Sequence, residues 1–214
     1  MENVKIAIAK GRTEEQAINL LDKAGIDTSI LRNKGRKLIL SLPESGLEFI
    51  LLKAVDVPTY VERGVVDMGI VGKDVLMEQG KQLYEVVDLE FGKCKLSVAG
   101  KEDGMVGKKH LRVATKYPNV AGQYFAAKGQ SVEIIRQEGS VELAPLVDLS
   151  DIIVDIVETG NTLRENGLVV LEDIANISAR LVVNRVSLKT KMKRISSVID
   201  AISKVVNQEE SLWR

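Results

Sequence analysis

Short apolar segments alternate with segments of helical periodicity along this chain, and the alternation occurs in two successive sets. In the first set, VKIAIA (4–9) precedes TEEQAINLLDKAG, where Ala17, Leu20 and Leu21 recur at helical spacing. In the second set, LRVATK precedes PNVAGQYFAAKG, a segment with proline near its start and glycine at its end. Since strands that alternate with helices form wound sheets, the sequence predicts an α/β protein with two wound lobes.

The limits of the two lobes must come from the element pattern, because no linker rich in proline, glycine or serine separates them. The pattern assigns residues 1–92 and 183–214 to lobe I and residues 93–182 to lobe II. The segment 169–185 near the second crossing is predicted as one or two strands. A chain that crosses twice between lobes predicts a hinge, with a ligand cleft between the lobes.

Charge and residue usage exclude several classes of function. Lys+Arg and Asp+Glu both number 30, so no bulk field favours nucleic acid or an anionic membrane. Cys94 is the only cysteine and His110 the only histidine. The chain therefore has few of the residues that a structural zinc site, a disulfide framework or a Ser-His-Asp triad requires. The N-terminus lacks a signal-peptide pattern, and no run of about 18 apolar residues occurs. We therefore expect a reduced, cytoplasmic protein with no membrane contact.

DIIVDIVETGNTLRENG (151–167) has the layout of a phosphate-binding loop, with an apolar strand, a tight turn and a helix-like segment. The turn could offer consecutive backbone N–H groups and two hydroxyls to one phosphate. Its residues are Thr159, Gly160, Asn161 and Thr162. Asp155 is predicted to end the strand at the carboxyl edge of a sheet, where its carboxylate can accept hydrogen bonds from sugar hydroxyls. The other interpretation is a plain turn capped by threonine and asparagine.

Two basic segments are further candidates for anion binding. Lys10-Gly11-Arg12 lies between a predicted strand and helix, where glycine permits close backbone approach and helix amides favour an anion. Arg36 belongs to the basic loop LRNKGRK. Either segment could instead be a solvated surface turn. Aromatic residues make up 4% of the chain and none lies in LRNKGRK, so base stacking is unsupported.

EGSVELAP (138–145) forms a fourth candidate. Gly139 and Ser140 precede a short predicted helix that contains Glu142, which resembles another helix start lined by backbone amides. Taken without the rest of the chain, the stretch is more typical of a plain helix cap.

Taken together, these stretches resemble the ATP phosphoribosyltransferase family. The resemblance covers nearly the whole chain and includes AKGR, DVPTYVERGVVDMGIVGKDVL, ATKYPNVA and EGSVELAPLVDLSDIIVDIVETGNTLRENGL. The last stretch matches the family signature at Glu138, Gly139, Ser140, Asp155, Thr159, Gly160, Thr162 and Leu163. Because the chain stops soon after an amphipathic terminal helix predicted over 187–208, it resembles the short form of the family.

The resemblance implies a fold, a reaction and a partner. The implied fold is similar to that of type II periplasmic binding proteins. The implied reaction joins N1 of the ATP adenine to C1 of phosphoribosyl pyrophosphate (PRPP) and releases pyrophosphate, as the first step of histidine biosynthesis. Mg²⁺ would accompany the phosphates, with no protein side chain holding it. A regulatory subunit resembling histidyl-tRNA synthetase would join a homodimer of this chain in a hetero-oligomer.

The resemblance also implies roles for the candidate residues. The expected PRPP-binding residues are Asp155, Glu158, Thr159, Gly160, Asn161, Thr162 and Leu163. The expected nucleotide- or pyrophosphate-binding residues are Lys10, Gly11, Arg12, Arg36, Gly139, Ser140 and Glu142. Arg12 and Arg36 would neutralise the leaving group, and Asp155 would face the ribose hydroxyls or the cationic sugar. Glu158 would assist Asp155 or remain a solvated turn residue.

Two other functions stay open at this point. One is a non-catalytic, two-lobed anion-binding module of the periplasmic type. The other is a phosphoribosyltransferase that uses a different base. Purine- and orotate-type enzymes carry two adjacent acids before a Thr-Gly turn, whereas here Asp155 is followed by Ile156, and Glu158 comes three positions later.

Overall fold

The chain divides into two units, Met1–Gly92 with Ser178–Arg214, and Lys93–Ile177. The structure is a computed structural model that describes residues 3–212, and the side chains of residues 3–208. Residues 1–2 and 213–214, which the sequence assigns to lobe I, lie outside the described residues. Each unit contains one mixed sheet with helices, so the predicted pair of α/β lobes is confirmed.

The elements follow the predicted alternation. The first unit begins with β1 (Val4–Lys10), α1 (Glu14–Lys23), α2 (Ser29–Arg32), β2 (Ile39–Leu42), β3 (Leu47–Lys53), a 3-10 turn (Ala54–Asp56), α3 (Val57–Glu62), β4 (Met68–Gly72), α4 (Lys73–Gln79) and β5 (Tyr84–Asp88). The second unit contains β6 (Cys94–Gly100), β7 (Leu111–Thr115), α5 (Pro118–Ala127), β8 (Val132–Arg136), a 3-10 turn (Val141–Leu143), β9 (Ile152–Val157), α6 (Asn161–Glu165) and β10 (Val169–Ile177). The chain then returns to the first unit with β11 (Ala179–Val183), α7 (Arg185–Thr190) and α8 (Met192–Leu212).

The sheet of the first unit has the strand order β2-β3-β1-β4-β11-β5. Strand β1 runs parallel to β3 and β4, while β2, β11 and β5 run antiparallel to their neighbours. Side chains alternate between the two faces of the sheet along β1, and both faces are buried. Ile6 and Ile8 pack in a cluster with α1 and α8, whereas Ala7 and Ala9 pack in another with α3 and α4.

The second crossing of the chain lies between Ile177 and Ser178, earlier than the position predicted between residues 182 and 183. Strand β11 decides the difference, because it pairs antiparallel with β4 and β5 in the sheet of the first unit. Strand β10 instead pairs with β6 in the other sheet. The segment 169–185 therefore contains two strands in different sheets, although its residue pattern is also compatible with one continuous strand.

The terminal helix predicted over 187–208 is two helices in the structure, α7 and α8, which meet at Lys191. The Lys191 ammonium group donates to the Asp67 carboxylate at 2.9 Å and to the Asn3 carbonyl oxygen at 2.8 Å. Asp67 is buried and also accepts a hydrogen bond from the backbone amide of Lys5. This polar contact ties the junction of the two helices to the sheet. Within residues 3–212, no helix combines the length and apolar character that a membrane crossing requires.

The sheet of the second unit has the strand order β10-β6-β9-β7-β8. Strand β7 is parallel to both β8 and β9, so the carboxyl ends of these three strands meet at one edge. Ligands bind at this kind of edge in open α/β sheets. The fold thereby brings the loops that follow β7, β8 and β9 side by side.

Candidate functional site

A cavity of about 210 Å³ lies within the second unit, near the edge where β7, β8 and β9 end. Its polar wall consists of Glu142, Asp155 and Thr162. Its apolar wall consists of Ala99, Ile153, Ile156, Val157 and Leu163. Two carboxylates and a hydroxyl around an apolar floor suit a ligand that has several hydroxyl groups.

Asp155 lies inside strand β9, which continues to Val157, so the prediction that Asp155 ends the strand is wrong. Alternation along β9 places Ile153, Asp155 and Val157 on the same face, and all three line the cavity. The Asp155 Oδ1 atom accepts a hydrogen bond from the backbone amide of Ile156 at 2.8 Å. The carboxylate therefore projects from the face of the sheet with one oxygen held by the backbone.

The turn after β9 is shaped by its own side chains. Gly160 has φ of 72°, a left-handed conformation that glycine adopts without strain. The Arg164 guanidinium donates to the Thr159 carbonyl oxygen at 3.2 Å and to the side-chain oxygen of Asn161. The backbone amide of Asn161 donates to Thr159 Oγ1 at 3.4 Å. Thr159 and Asn161 thus help to define the turn, while the Thr162 side chain lines the cavity.

Leu163 anchors this turn to the core. Its side chain is 7% exposed and belongs to the apolar cluster that contains Val141, Ala144 and Ile153. The backbone amides of Thr162 and Leu163 have no acceptor one turn earlier within the helix, which leaves them available to a ligand. Glu158 is exposed on the chain that leads into the turn.

The loop after β8 contributes one acid to the cavity. Glu142 lies in the 3-10 turn Val141–Leu143, and it lines the same cavity as Asp155 and Thr162. Gly139 and Ser140 are exposed, and Ser140 has φ of 46°, an uncommon conformation for a residue other than glycine. The structure therefore groups Glu142 with the predicted sugar and phosphate residues, and not with Gly139 and Ser140, its neighbours in the sequence.

The predicted cationic residues all belong to the first unit. Lys10 is the last residue of β1. Lys10, Arg12 and Arg36 are all exposed. The carboxylate of Glu14 links their two segments, because it accepts from the Gly11 amide at 3.4 Å and pairs with the ammonium group of Lys34. The basic loop that contains Arg36 is thus held against the Lys10-Gly11-Arg12 turn.

The acids of the described residues bear on whether side chains could hold a metal ion. The described residues contain no group of three or more histidine, cysteine, aspartate or glutamate side chains that could hold a metal ion. The two cavity acids alone do not supply the six oxygen ligands that Mg²⁺ requires, so substrate oxygens and water would have to complete its shell.

The loop after β7 received no role in the sequence analysis, although ATKYPNVA was one of the stretches that carried the resemblance. In the structure this loop lies between the loops after β8 and β9, because β7 is the strand between them. Its position directly after a predicted strand was the signal that could have identified it.

Comparison with known proteins assigns the chain to a family. The family model described as "HisG: ATP phosphoribosyltransferase" matches residues 53–204. The ATP phosphoribosyltransferase of Alkaliphilus metalliredigens is 64% identical over 204 residues, covering 95% of this chain and 98% of that protein. The ATP phosphoribosyltransferase of Clostridium kluyveri is 55% identical over 213 residues, covering 99% of this chain and 97% of that protein.

Two solved structures resemble the fold. A chain of the ATP phosphoribosyl transferase (HisG:HisZ) complex from Thermotoga maritima matches with a TM-score of 0.85 and 36% identity, covering 96% of this chain and 99% of that chain. The periplasmic aliphatic sulphonate binding protein SsuA from Escherichia coli matches with a TM-score of 0.60 and 15% identity, covering 99% and 75%. The second match concerns the fold alone, and it confirms the expected likeness to periplasmic binding proteins.

Proposed function

Because the chain belongs to the ATP phosphoribosyltransferase family, we propose that it transfers the phosphoribosyl group of PRPP to N1 of the ATP adenine. The products are phosphoribosyl-ATP and pyrophosphate, and the reaction is the first step of histidine biosynthesis. The observation that carries this proposal is the cavity in the second unit, where Glu142, Asp155 and Thr162 form the polar wall beside the glycine turn that begins α6.

The turn after β9 would bind the 5-phosphate of PRPP. Backbone amides in the first turn of α6 can donate to phosphate oxygens, and the positive end of the helix dipole favours the anion. The Thr162 hydroxyl adds a donor from the cavity wall. Gly160 permits the turn, and Leu163 holds it against the core. Thr159 and Asn161 support the turn through their contacts with each other and with Arg164.

Asp155 and Glu142 would bind the ribose. Their carboxylates face one cavity, and carboxylates accept hydrogen bonds from sugar hydroxyls. As pyrophosphate leaves C1, positive charge develops on the sugar ring, and a preorganised carboxylate lowers the barrier most where such charge appears. Asp155 suits this role because the Ile156 amide holds one of its oxygens in place. Glu158 lies outside the cavity wall and would make a weaker contribution.

The exposed cations of the first unit would neutralise the polyphosphates. Lys10, Arg12 and Arg36 would contact pyrophosphate as it leaves or the phosphates of ATP, and the Gly11 turn would permit close approach. Gly139 and Ser140 would contact the nucleotide through their backbone. Mg²⁺, bound through substrate phosphates, would offset further negative charge on the leaving group. Orienting two polyanions for in-line displacement would provide much of the remaining acceleration.

His110 is not needed as a general base in this scheme. It is exposed and directly precedes β7, so it lies at the amino end of that strand, opposite the edge that carries the cavity. Displacement at C1 by a ring nitrogen requires position and charge stabilisation more than it requires a histidine.

We further propose that the chain forms a homodimer and assembles with a regulatory subunit that resembles histidyl-tRNA synthetase. The support is the likeness to a chain from the HisG:HisZ complex, which extends over 96% of this chain. Assembly would be measured by light scattering with and without the regulatory subunit.

The proposed reaction is tested by incubating the chain and its regulatory subunit with ATP, PRPP and Mg²⁺. Release of pyrophosphate together with formation of phosphoribosyl-ATP is expected, and omission of either substrate should abolish both. Free purine and pyrimidine bases in place of ATP would test a different acceptor. Absence of pyrophosphate release under every condition would refute the enzymatic function.

Replacing Thr162 by valine is expected to raise the KM for PRPP about tenfold, because a hydrogen bond to a charged phosphate is lost from a site of nearly unchanged shape. The KM for ATP should stay near the wild-type value, and initial rates with each substrate varied would measure both. Thr190→Val is a matched control, since Thr190 is exposed in α7 and donates only to nearby carbonyl oxygens of its own helix. Equal effects of Thr162→Val on both KM values would argue against the phosphate assignment.

A further inference from the structure

Lys116 directly follows β7, the strand that lies between β8 and β9 in the second sheet. In the register of these parallel strands, Thr115 is level with Val154 of β9 and with Arg136 of β8. The next residue, Lys116, therefore leaves the sheet close to Asp155 and between the loops that contain Thr162 and Glu142. Neighbouring strands are about 4.8 Å apart, a distance that an extended lysine side chain exceeds.

A buried hydroxyl fixes the backbone on both sides of Lys116. Thr115 is fully buried, and its Oγ1 donates to the Val154 carbonyl oxygen at 2.6 Å. Thr115 Oγ1 also accepts a hydrogen bond from the backbone amide of Tyr117 at 2.8 Å. Val154 immediately precedes Asp155. These two hydrogen bonds therefore hold the backbone around Lys116 against β9, the strand that contains Asp155. The buried side chain of Tyr117 anchors the other end of the turn.

Lys116 is exposed, and its ammonium group makes no hydrogen bond or ion pair with any residue in the range 3–208. The arginines of the adjacent loops have partners, because Arg136 pairs with Glu138 at 3.0 Å and Arg164 donates to the Thr159 carbonyl oxygen. Lys116 is therefore the cation at this edge that can approach a ligand without giving up such a contact.

The negative charge around the cavity favours a cation beside a dianionic ligand. Glu142 and Asp155 line the cavity, and Glu158 precedes the turn that would hold the phosphate. Carboxylates repel a phosphate dianion, and amide dipoles alone must then outweigh that repulsion. An ammonium group among these acids would offset it, and lysine commonly binds phosphate as a point charge.

We propose that the Lys116 ammonium group binds the 5-phosphate of PRPP, opposite the backbone amides of the turn after β9. The assignment rests on the proposed function, since it names a further binding residue for the same substrate. The 5-phosphate does not react, so we expect the contact to be equally strong in the ground state and the transition state. It therefore contributes to the KM for PRPP and not to kcat.

Binding of ribose 5-phosphate, measured by titration calorimetry on the full chain with and without its regulatory subunit, tests the proposal apart from catalysis. Lys116→Ala should weaken this binding roughly 10- to 100-fold, because a charge-assisted contact is lost. Lys116→Arg should restore most of the affinity. Binding of inorganic pyrophosphate should not change. The matched control is Lys109→Ala, which removes another exposed charge from the amino end of β7, at the opposite edge.

The outcomes separate this proposal from the proposed function. Unchanged binding of ribose 5-phosphate by Lys116→Ala, a loss confined to pyrophosphate, or no binding by the unmodified chain would each overturn the Lys116 assignment. Turnover of ATP and PRPP is measured separately, with a raised KM for PRPP and a near-normal kcat expected for Lys116→Ala. Lys116-dependent binding without any turnover would uphold the Lys116 site and refute the enzymatic reaction. Melting temperatures of all variants should match that of the unmodified chain, because both lysines are exposed.

Discussion

Replacing Arg36 by alanine is expected to lower the rate of the chemical step by about 10²–10³-fold, the typical cost of losing one contact to charge that develops in the transition state. Arg36 is exposed, and it forms no hydrogen bond or ion pair with any other residue that the structure describes. Its removal should therefore leave the folded state intact. Single-turnover measurements with saturating ATP and PRPP would isolate the chemical step from substrate binding and product release.

Two variants make this result specific. Lys37→Ala removes the neighbouring exposed charge from the same loop and should leave the rate near the wild-type value. Arg36→Lys keeps the charge but loses the planar guanidinium, so an intermediate rate is expected. Arg12→Ala should resemble Arg36→Ala, because the Glu14 contacts hold both segments together. Unchanged single-turnover rates for Arg36→Ala would remove the residue from leaving-group stabilisation.

Replacing Asp155 by asparagine is expected to lower the single-turnover rate to a similar extent, about 10²–10³-fold, since the negative charge that faces the developing sugar cation is lost. Asparagine has nearly the same shape and retains an oxygen that can accept from the Ile156 amide, which Asp155 does at 2.8 Å. The cavity should therefore keep its form. The rate would be measured with both substrates saturating, and PRPP affinity would be determined separately by calorimetry.

Asp173 offers a matched control for this charge effect. In the strand register, Asp173 is opposite Ser97 and Ser97 is opposite Asp155, so the three residues form one cross-strand row. Asp173 binds Lys95 and Ser97 and does not line the cavity. Asp173→Asn should have little effect on the rate. A comparable loss in both variants would indicate a general electrostatic effect and contradict a direct role for Asp155.

Prediction from sequence succeeded where neighbouring residues carry the information. The wound α/β pattern follows from periodicity within segments, and the glycine turn after β9 follows from four consecutive residues. Thr162 is therefore a candidate from the sequence alone, and in the structure it lines the cavity. The catalytic and binding roles themselves stay predictions that the variants above will test.

Other features depended on strand pairing, which residue pattern alone does not specify. The mostly apolar sequence of β11 suits either sheet, yet its pairing with β4 and β5 assigns it to the first unit. Asp155 was expected at the end of its strand, but β6 pairs with β9 as far as Val157 and extends it. Glu142 joined the cavity group only because the loop after β8 packs beside the turn after β9.

The amino-acid sequence by itself determined the alternation of strands and helices, the glycine turn and the family to which the chain belongs. Each of these depends on residue types at short spacing, and local backbone preferences respond to such spacing. Only the tertiary structure decided that Lys116 leaves the sheet beside Asp155. That neighbourhood arises because Thr115 donates to the carbonyl oxygen of Val154, a residue 39 positions away, and contacts over such separations exist only once the sheet has formed.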